Sequence, residues 1–417
     1  MQADIIAIGD ELLIGQTINS NAAWIGQELS NIGIRVHRTT AIGDDRSEIL
    51  RMLDEASGRS QVIIMTGGLG PTKDDITKHT LCGYFDSALE MNEEALERIT
   101  GYFGSRGLPM LEMNRQQAEL PEKCTVIQNL RGTACGMWFE KNGCVFISMP
   151  GVPYEMQGMM EDQIIRMLSE FFKRPEIIHR TILTSGVGES FLAKKIEVWE
   201  NSLAEMDVKL AYLPSPGMVK LRMSAYHNEG GKSAQFIQKK EKELHGIIGE
   251  YIFGYNKDTL QSMVGNLLRS GGLSLSVAES CTGGFLAHLL TSEPGSSDFF
   301  AGGVIAYSEE VKKQILGVDG ELISRFGVVS EEVAAAMAEG VRKTINTTYG
   351  LATTGIAGPL GGTPELPVGT ICMALAGPKG TLTMRKIFSQ RRELNIEMAT
   401  NAALDMLRKD FLKENGG

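Results

Sequence analysis

The sequence predicts an α/β protein in three parts, and three observations carry that prediction. Short apolar runs alternate with helical patterns through the first third of the chain. The rhythm breaks after Arg174–Pro175, and a second strand–loop–helix series opens near Lys257. Strands alternating with helices of this length form right-handed βαβ units on a parallel sheet. At about 100–200 residues per domain, the 417 residues suit segments 1–172, 173–254 and 255–417, the middle one a small α+β insert.

Each element follows from its pattern. Asp4–Gly9 reads as a short buried strand, and Asn19–Ile32 as a helix with Ala22, Ile25, Leu29 and Ile32 on one face. Ile34–Thr40 is a second strand, Arg46–Ala56 a second helix, and Gln61–Thr66 a third strand running into GGLGPTKDD. Val145–Met149 precedes PGVP, and a helix over about Tyr154–Phe172 closes the unit. In the middle segment, Glu176–Leu183 and Val219–Tyr226 read as strands, HNEGGKS as a turn, and Glu189–Leu203 and Ala234–Ile248 as helices. The QKKEK run on the last helix offers a basic face, but a solvated helix surface is the simpler reading.

The third segment continues with the helix Leu260–Arg269, the strand Leu273–Ala278, the loop ESCTGG and a helix from about Phe285. Gly303–Tyr307, Leu351–Thr354, Thr370–Leu375 and Thr381–Phe388 are strand candidates, with helices at Glu309–Leu316 and Asn395–Leu412. A helix over Ser330–Asn346 starts at an N-cap serine followed by two glutamates. Its Val333, Met337, Val341 and Ile345 form an i, i+4 stripe, read as core.

Composition narrows the function classes. A net charge of −10 gives no overall attraction to nucleic acid. Cys82, Cys124, Cys135, Cys144, Cys281 and Cys372 lie far apart without a C-x-x-C pair, which suits buried thiols in a reducing cytosol. The first residues lack the basic start of a secretory signal, and no apolar run reaches the ~18–20 residues that span a bilayer. The expected location is cytoplasmic. Glycine is in excess, 48 residues against a typical ~7%, without a repeat period.

Three loops follow strands in the first segment: Gly9–Gly15, Thr66–Asp75 and Met149–Pro153. In a parallel sheet such loops collect on one edge, where ligands bind. Thr66, Gly67 and Gly68 can offer backbone N–H groups to a phosphate or carboxylate. Asp10, Asp74 and Asp75 could hold a divalent cation, Mg²⁺, Mn²⁺ or Co²⁺, or else Asp74 or Asp75 merely caps the helix near Ile76. Neither a Walker A loop nor a G-x-G-x-x-G turn is present.

GDELLIGQTINSNAAWI, TGGLGPTKDDIT, NRQQAELP, GTACGMWF and PGVPYEM together resemble the molybdopterin-binding, MoaB/MogA-like domain of the CinA family. The resemblance implies a three-layer α/β domain with a nucleotide- or pterin-like ligand. It also implies metal-dependent hydrolysis of ADP-ribose to AMP and ribose 5-phosphate. The expected ligand set is Asp10, Glu11, Thr66, Gly67, Gly68, Asp74, Asp75, Asn114 and Gly151. One departure is Cys135, which stands in GTACG where the family has proline.

AESCTGG sits between a strand and a helix, so Ser280 is placed like a nucleophile, with N–H donors expected from the Gly283–Gly284 region. A serine needs a base. Lys312 in AYSEEVKKQILGV is preferred to His288, because a desolvated lysine can act as a neutral base. Cys281 is the rival nucleophile.

AESCTGG, GGVIAYSEEVKKQILGV and TTGIAGPLGGTPELPVGT are similar to the C-terminal CinA domain, which resembles nicotinamide mononucleotide (NMN) deamidases. The resemblance implies a Ser280–Lys312 catalytic pair, with Glu279, Cys281, Thr282, Gly283, Gly284 and Tyr307 in supporting or oxyanion roles. It implies substrate contacts at Thr354, Gly355, Ala357, Gly358, Pro359, Gly361 and Gly362, no cofactor for deamidation, and a homodimer. The alternative, which the resemblance also implies, is a regulatory protein linked to competence or DNA damage that binds a nucleotide or pterin without turnover.

Overall fold

The computed structural model describes residues 1–72, 75–172, 178–226 and 231–414. It divides into two compact units, one of residues 1–178 with 226–229, the other of 179–225 with 230–417.

The first unit is built on a six-stranded sheet of order β2-β1-β3-β8-β7-β6. β1 (Gln2–Ile8), β2 (Arg35–Ile42), β3 (Val62–Thr66) and β8 (Cys144–Met149) are mutually parallel, as the sequence pattern requires. β6 (Thr125–Ile127) and β7 (Gly136–Lys141) are antiparallel additions. The sheet is therefore mixed, not wholly parallel. The cause is local: Asn142 and Gly143 both take positive φ, 53° and 76°, and form the two-residue turn that joins β7 to β8 as a hairpin. β4 (Leu89–Met91) and β5 (Glu119–Pro121) form a separate ribbon.

Period-2 alternation sorts the core into two layers. Ile63, Met65 and Phe146 join one cluster, while Val62, Ile64, Val145 and Ile147 join another on the opposite face. Helices Ser20–Asn31 and Pro153–Met159 cover the second face, and Arg46–Ser57 and Thr77–Phe85 the first. The result is the expected three-layer α/β domain. Asn19 and Asp45 cap their helices, accepting from Ala22 N at 3.0 Å and Glu48 N at 2.9 Å. The helix expected over Tyr154–Phe172 contains a π-helical stretch at Met160–Ile164.

In the second unit, β9 (Ile178–Ser185), β10 (Lys209–Ser215), β11 (Met218–Ala225) and β12 (Ile252–Tyr255) form a sheet of order β10-β11-β9-β12. Its helices Glu189–Ser202 and Lys232–Ile248 are joined by Trp199 Nε1 donating to the Lys240 carbonyl at 2.9 Å. Within the QKKEK run Gln238, Lys239 and Lys242 are solvent-exposed, as read from the sequence, while Lys240 is buried and bonds Glu243 at 2.8 Å and Glu241 pairs with Arg180. Most of the predicted HNEGGKS turn lies outside the described residues.

The remaining sheet has the order β14-β13-β15-β16-β17. β13 (Leu275–Glu279) lies parallel to β14 (Phe300–Ile305) and β15 (Tyr349–Gly355). β16 (Thr370–Gly377) and β17 (Gly380–Ile387) add antiparallel. β14 ends at Ile305 rather than Tyr307, because Ala306 turns out of the sheet after its N–H bonds Glu279 O at 2.7 Å. Val333, Met337 and Val341 are fully buried and Ile345 partly so, as the stripe requires. Among the described residues, no helix is long and apolar enough to cross a membrane.

Candidate functional site

Loops at the C-terminal ends of β13, β14 and β15 build a cleft of about 400 Å³. The β13 ladder continues one residue, with Ser280 N donating to Thr353 O at 2.9 Å. The chain then turns sharply through Gly283 and Gly284, whose φ of 60° and 101° suit glycine, into the helix Phe285–Thr291. Ser280 is thus presented at the sheet edge. Lys312 comes from the helix Glu309–Gln314, which Ser308 caps by accepting from Val311 N at 3.3 Å.

Lys312 Nζ lies 3.0 Å from Ser280 Oγ and donates to the Ala306 carbonyl at 2.6 Å. Its side chain is buried, and no carboxylate among the described residues reaches ion-pair distance. Burial pushes its ammonium below the ordinary lysine range. A neutral amine can donate to Ala306 O while accepting the Ser280 proton. Cys281 is equally buried, and desolvation pushes its thiol up to about 12. That makes it a protonated core residue.

Of the expected oxyanion donors, Gly283 and Gly284 are otherwise engaged. The buried Glu279 carboxylate accepts from the N–H groups of Gly284, Leu286 and Ala287 at 2.9, 3.1 and 2.8 Å. Gly283 N bonds Ser280 O at 3.2 Å. Gly283 and Gly284 are therefore committed to the turn and do not face a substrate. Of the turn residues after Ser280, Cys281 lines the cleft and Thr282 does not, so a backbone donor for an oxyanion would come from Cys281. The Thr282 hydroxyl lies 2.7 Å from Thr353 Oγ1. Glu279 holds the turn rather than the oxyanion. We expect Glu279→Ala to cost ~1–3 kcal/mol, the desolvation cost of unpaired buried groups, and Glu279→Gln less, read from denaturant unfolding of the full chain.

Tyr307, Thr354, Gly355, Ala357, Gly358 and Gly361 line the cleft as expected. Pro359, Gly362 and His288 do not; Gly362 instead abuts Val368, where a Cβ would come within 2.7 Å of its N. Arg392, Glu309, Val328 and Val329 line the cleft without having been read from the sequence. Arg392 Nη1 donates to Gly358 O at 3.0 Å, and Nη2 to Tyr307 Oη at 3.3 Å, tying the glycine-rich loop to the Tyr307 segment. Arg392 opens the helix Arg392–Glu414, where no local motif marks it.

In the first unit, a second cavity of about 370 Å³ is lined by Gly67, Gly68, Asp75 and Gly151, with Glu11. Gly67 has no room for a side chain, since a Cβ would meet Ile8 O at 2.0 Å. Asp10 does not line the cavity; Asp44, which accepts from Asp10 N at 3.3 Å, and Glu155 do. Asp74 lies outside the described residues. Asp75 does not cap the following helix; its Oδ2 accepts from Thr72 N at 2.9 Å and from the Thr72 hydroxyl, closing the loop. Thr66 is buried and accepts from Asn21 Nδ2 at 3.1 Å, while the same amide reaches Gly151 O at 2.7 Å. Asn114 is also structural: its Oδ1 accepts from Leu111 N at 3.2 Å. Cys135 is buried beside Arg98, and burial raises its thiol.

Among the described residues, four carboxylates, Glu11, Asp44, Asp75 and Glu155, share this cavity and no basic side chain lines it. Their oxygens are of the type a hard divalent cation takes. Among the described residues, however, no three such groups converge as a metal site. Of the expected Asp10–Asp74–Asp75 set, Asp75 lines the cavity, Asp10 does not, and Asp74 lies outside the described residues.

Residues 257–411 match the family model described as "CinA C-terminal domain". Residues 179–254 match "Damage-inducible protein CinA KH domain", and 4–170 match "Probable molybdopterin binding domain". A CinA-like protein of Cytophaga hutchinsonii is 46% identical over 99% of this chain and 98% of its own length. One from Flavobacterium psychrophilum is 46% identical over 99% of each chain. The solved competence/damage inducible protein CihA of Agrobacterium tumefaciens is 36% identical, covering 36% of this chain and 92% of its own, with a TM-score of 0.35.

Proposed function

The chain belongs to the CinA family, and on that premise we propose that its C-terminal segment is an amidohydrolase converting NMN to nicotinate mononucleotide and ammonia. The observation that carries this reading is Lys312 Nζ at 3.0 Å from Ser280 Oγ, buried and without a carboxylate partner. Neutral Lys312 takes the Ser280 proton as Oγ bonds the carboxamide carbon, and the carbonyl π pair moves to oxygen. The backbone N–H of Cys281, which lines the cleft, receives the oxyanion. Collapse expels the amine, which takes the proton from Lys312 and leaves as ammonia. Water then attacks the ester with Lys312 again as base, releasing the carboxylate and restoring Ser280.

Val328 and Val329 supply apolar wall for a flat ring, and Arg392 with Tyr307 supplies donors for a phosphate. NMN should therefore be turned over with a lower KM than nicotinamide riboside, which lacks the phosphate. Arg392→Ala should erase most of that preference by raising the KM for NMN about 10–100-fold, the scale of a lost charged hydrogen bond. Equal KM values for the two substrates in the unaltered chain would refute the phosphate assignment.

A second reading concerns the acidic cavity of the first unit. The four carboxylates among its described lining residues would repel a bare diphosphate, a repulsion that a divalent cation would offset. We propose a nucleotide- or pterin-like phosphate ligand there, with ADP-ribose hydrolysis as the candidate activity. AMP formation from ADP-ribose, with and without Mn²⁺, tests it; cation-dependent binding without AMP would favour a regulatory module.

A further inference from the structure

We propose that Glu309 sets the ring specificity of the C-terminal cleft: its carboxylate balances the fixed positive charge of an N-glycosylated pyridine ring, so the site prefers a cationic carboxamide ring to a neutral one of the same shape. The inference deepens the amidohydrolase reading and rests on it. Linking a sugar to the pyridine nitrogen makes that nitrogen a cation at every pH, whereas the carbon isostere, a benzamide ring, is neutral. Glu309 is the one carboxylate among the described residues lining the cleft, which it shares with Arg392 and the Ser280–Lys312 pair. Arg392 is tied to Gly358 O and Tyr307 Oη, the part of the cleft assigned to the phosphate. The cleft thus offers an anion for the ring and a cation for the phosphate, matching the two charges of the substrate.

Placement puts this charge beside the reacting groups. Glu309 follows the Ser308 cap as the first residue of the helix Glu309–Gln314. Residues at i and i+3 share a helix face, so Glu309 sits on the face that carries Lys312 to Ser280. Burial lowers the Lys312 ammonium, and the nearby Cys281 and Glu309 act against that lowering. A carboxylate beside a base that must be neutral is a handicap, since it favours the ammonium form. A bound pyridinium offsets that field, which gives the charge a use once substrate is present. The Glu309 side chain is 55% exposed, and its ion pair with Lys313 at 3.7 Å is of the weak surface kind. The carboxylate is therefore open to a second cation. The plainer role, an acidic charge at a helix start, affects folding and not the choice of ring.

The test uses the full chain, unaltered and as Glu309→Gln, with NMN as substrate and benzamide riboside 5′-monophosphate as competitor, following nicotinate mononucleotide. In the unaltered chain the competitor's Ki should exceed the KM for NMN about fivefold, the upper end for a solvent-accessible charge pair. Glu309→Gln should raise the KM for NMN by about that factor and leave the competitor's Ki within about twofold. Glu309→Asp, which keeps the charge, should retain the preference. Equal constants for the two ligands in the unaltered chain overturn the role of Glu309 while leaving the amidohydrolase reading intact. So does a Glu309→Gln variant that weakens both ligands alike, or neither. No turnover of NMN by the unaltered chain overturns both. Should Glu309→Gln not fold, Glu309→Ser, which removes the charge at a position where serine suits a helix start, repeats the experiment.

Discussion

Ser280→Ala should lower ammonia release from NMN by about 10³-fold or more, the scale of losing a covalent nucleophile. Cys281→Ala should stay within about tenfold of the unaltered chain. The contrast rests on placement. Both residues line the cleft, but Ser280 Oγ is 3.0 Å from Lys312 Nζ. The Cys281 thiol is buried and held protonated, its pKa pushed up to about 12 by desolvation. Steady-state ammonia assays on both variants, with unfolding midpoints to show intact folds, check the prediction. Loss of activity in Cys281→Ala with retention in Ser280→Ala would reverse the assignment.

Lys312→Met should cost about 10²–10⁴-fold in kcat, the contribution of a positioned general base. The same residue sets the pH dependence. Its pKa is lowered by burial, so the neutral, competent form is present above that lowered value and is lost as the pH falls through it. The acid limb of kcat/KM should therefore titrate below the ordinary lysine range. Stability carries the same signature with a definite sign. Between the lowered native value and the ordinary unfolded one, the unfolded chain binds more protons at this site, so its contribution to stability rises with pH. Lys312→Met should lose that slope, which denaturant unfolding across the interval would show. A pH profile unchanged in a residually active Lys312 variant would contradict the base assignment.

The parts of the fold legible in the sequence were those with long periodic patterns. The Val333–Met337–Val341 stripe, the Ser330 cap and the apolar runs of β1, β3 and β8 all sit where their spacing puts them. Residues 77–141 were not legible, because three of their strands are only three residues long and carry no alternation to read. Just beyond that segment Asn142–Gly143 was a usable hairpin signal, since both residues favour positive φ.

The site divides in the same way. Ser280 and Lys312 could be read because each lies in a compact motif beside a strand end. The role of Glu279 was also written locally: an acidic residue precedes a helix whose N-cap, Gly284, has no side chain to cap with. Arg392 could not be read this way. It reaches the cleft only through the packing of a helix far along the chain. Asp10 and Asn114 show the converse. Their types suited a ligand site, but backbone geometry gives the cavity wall to Glu11 and Asp44 and assigns Asn114 to a turn.

A single assay bears on the whole reading: ammonia and nicotinate mononucleotide quantified together from NMN, using the full chain and its Ser280→Ala variant. Equimolar products from the unaltered chain, with neither formed above background by the variant, is the expected result. Absence of ammonia from the unaltered chain, or its undiminished release by Ser280→Ala, would contradict a Ser280–Lys312 amidohydrolase.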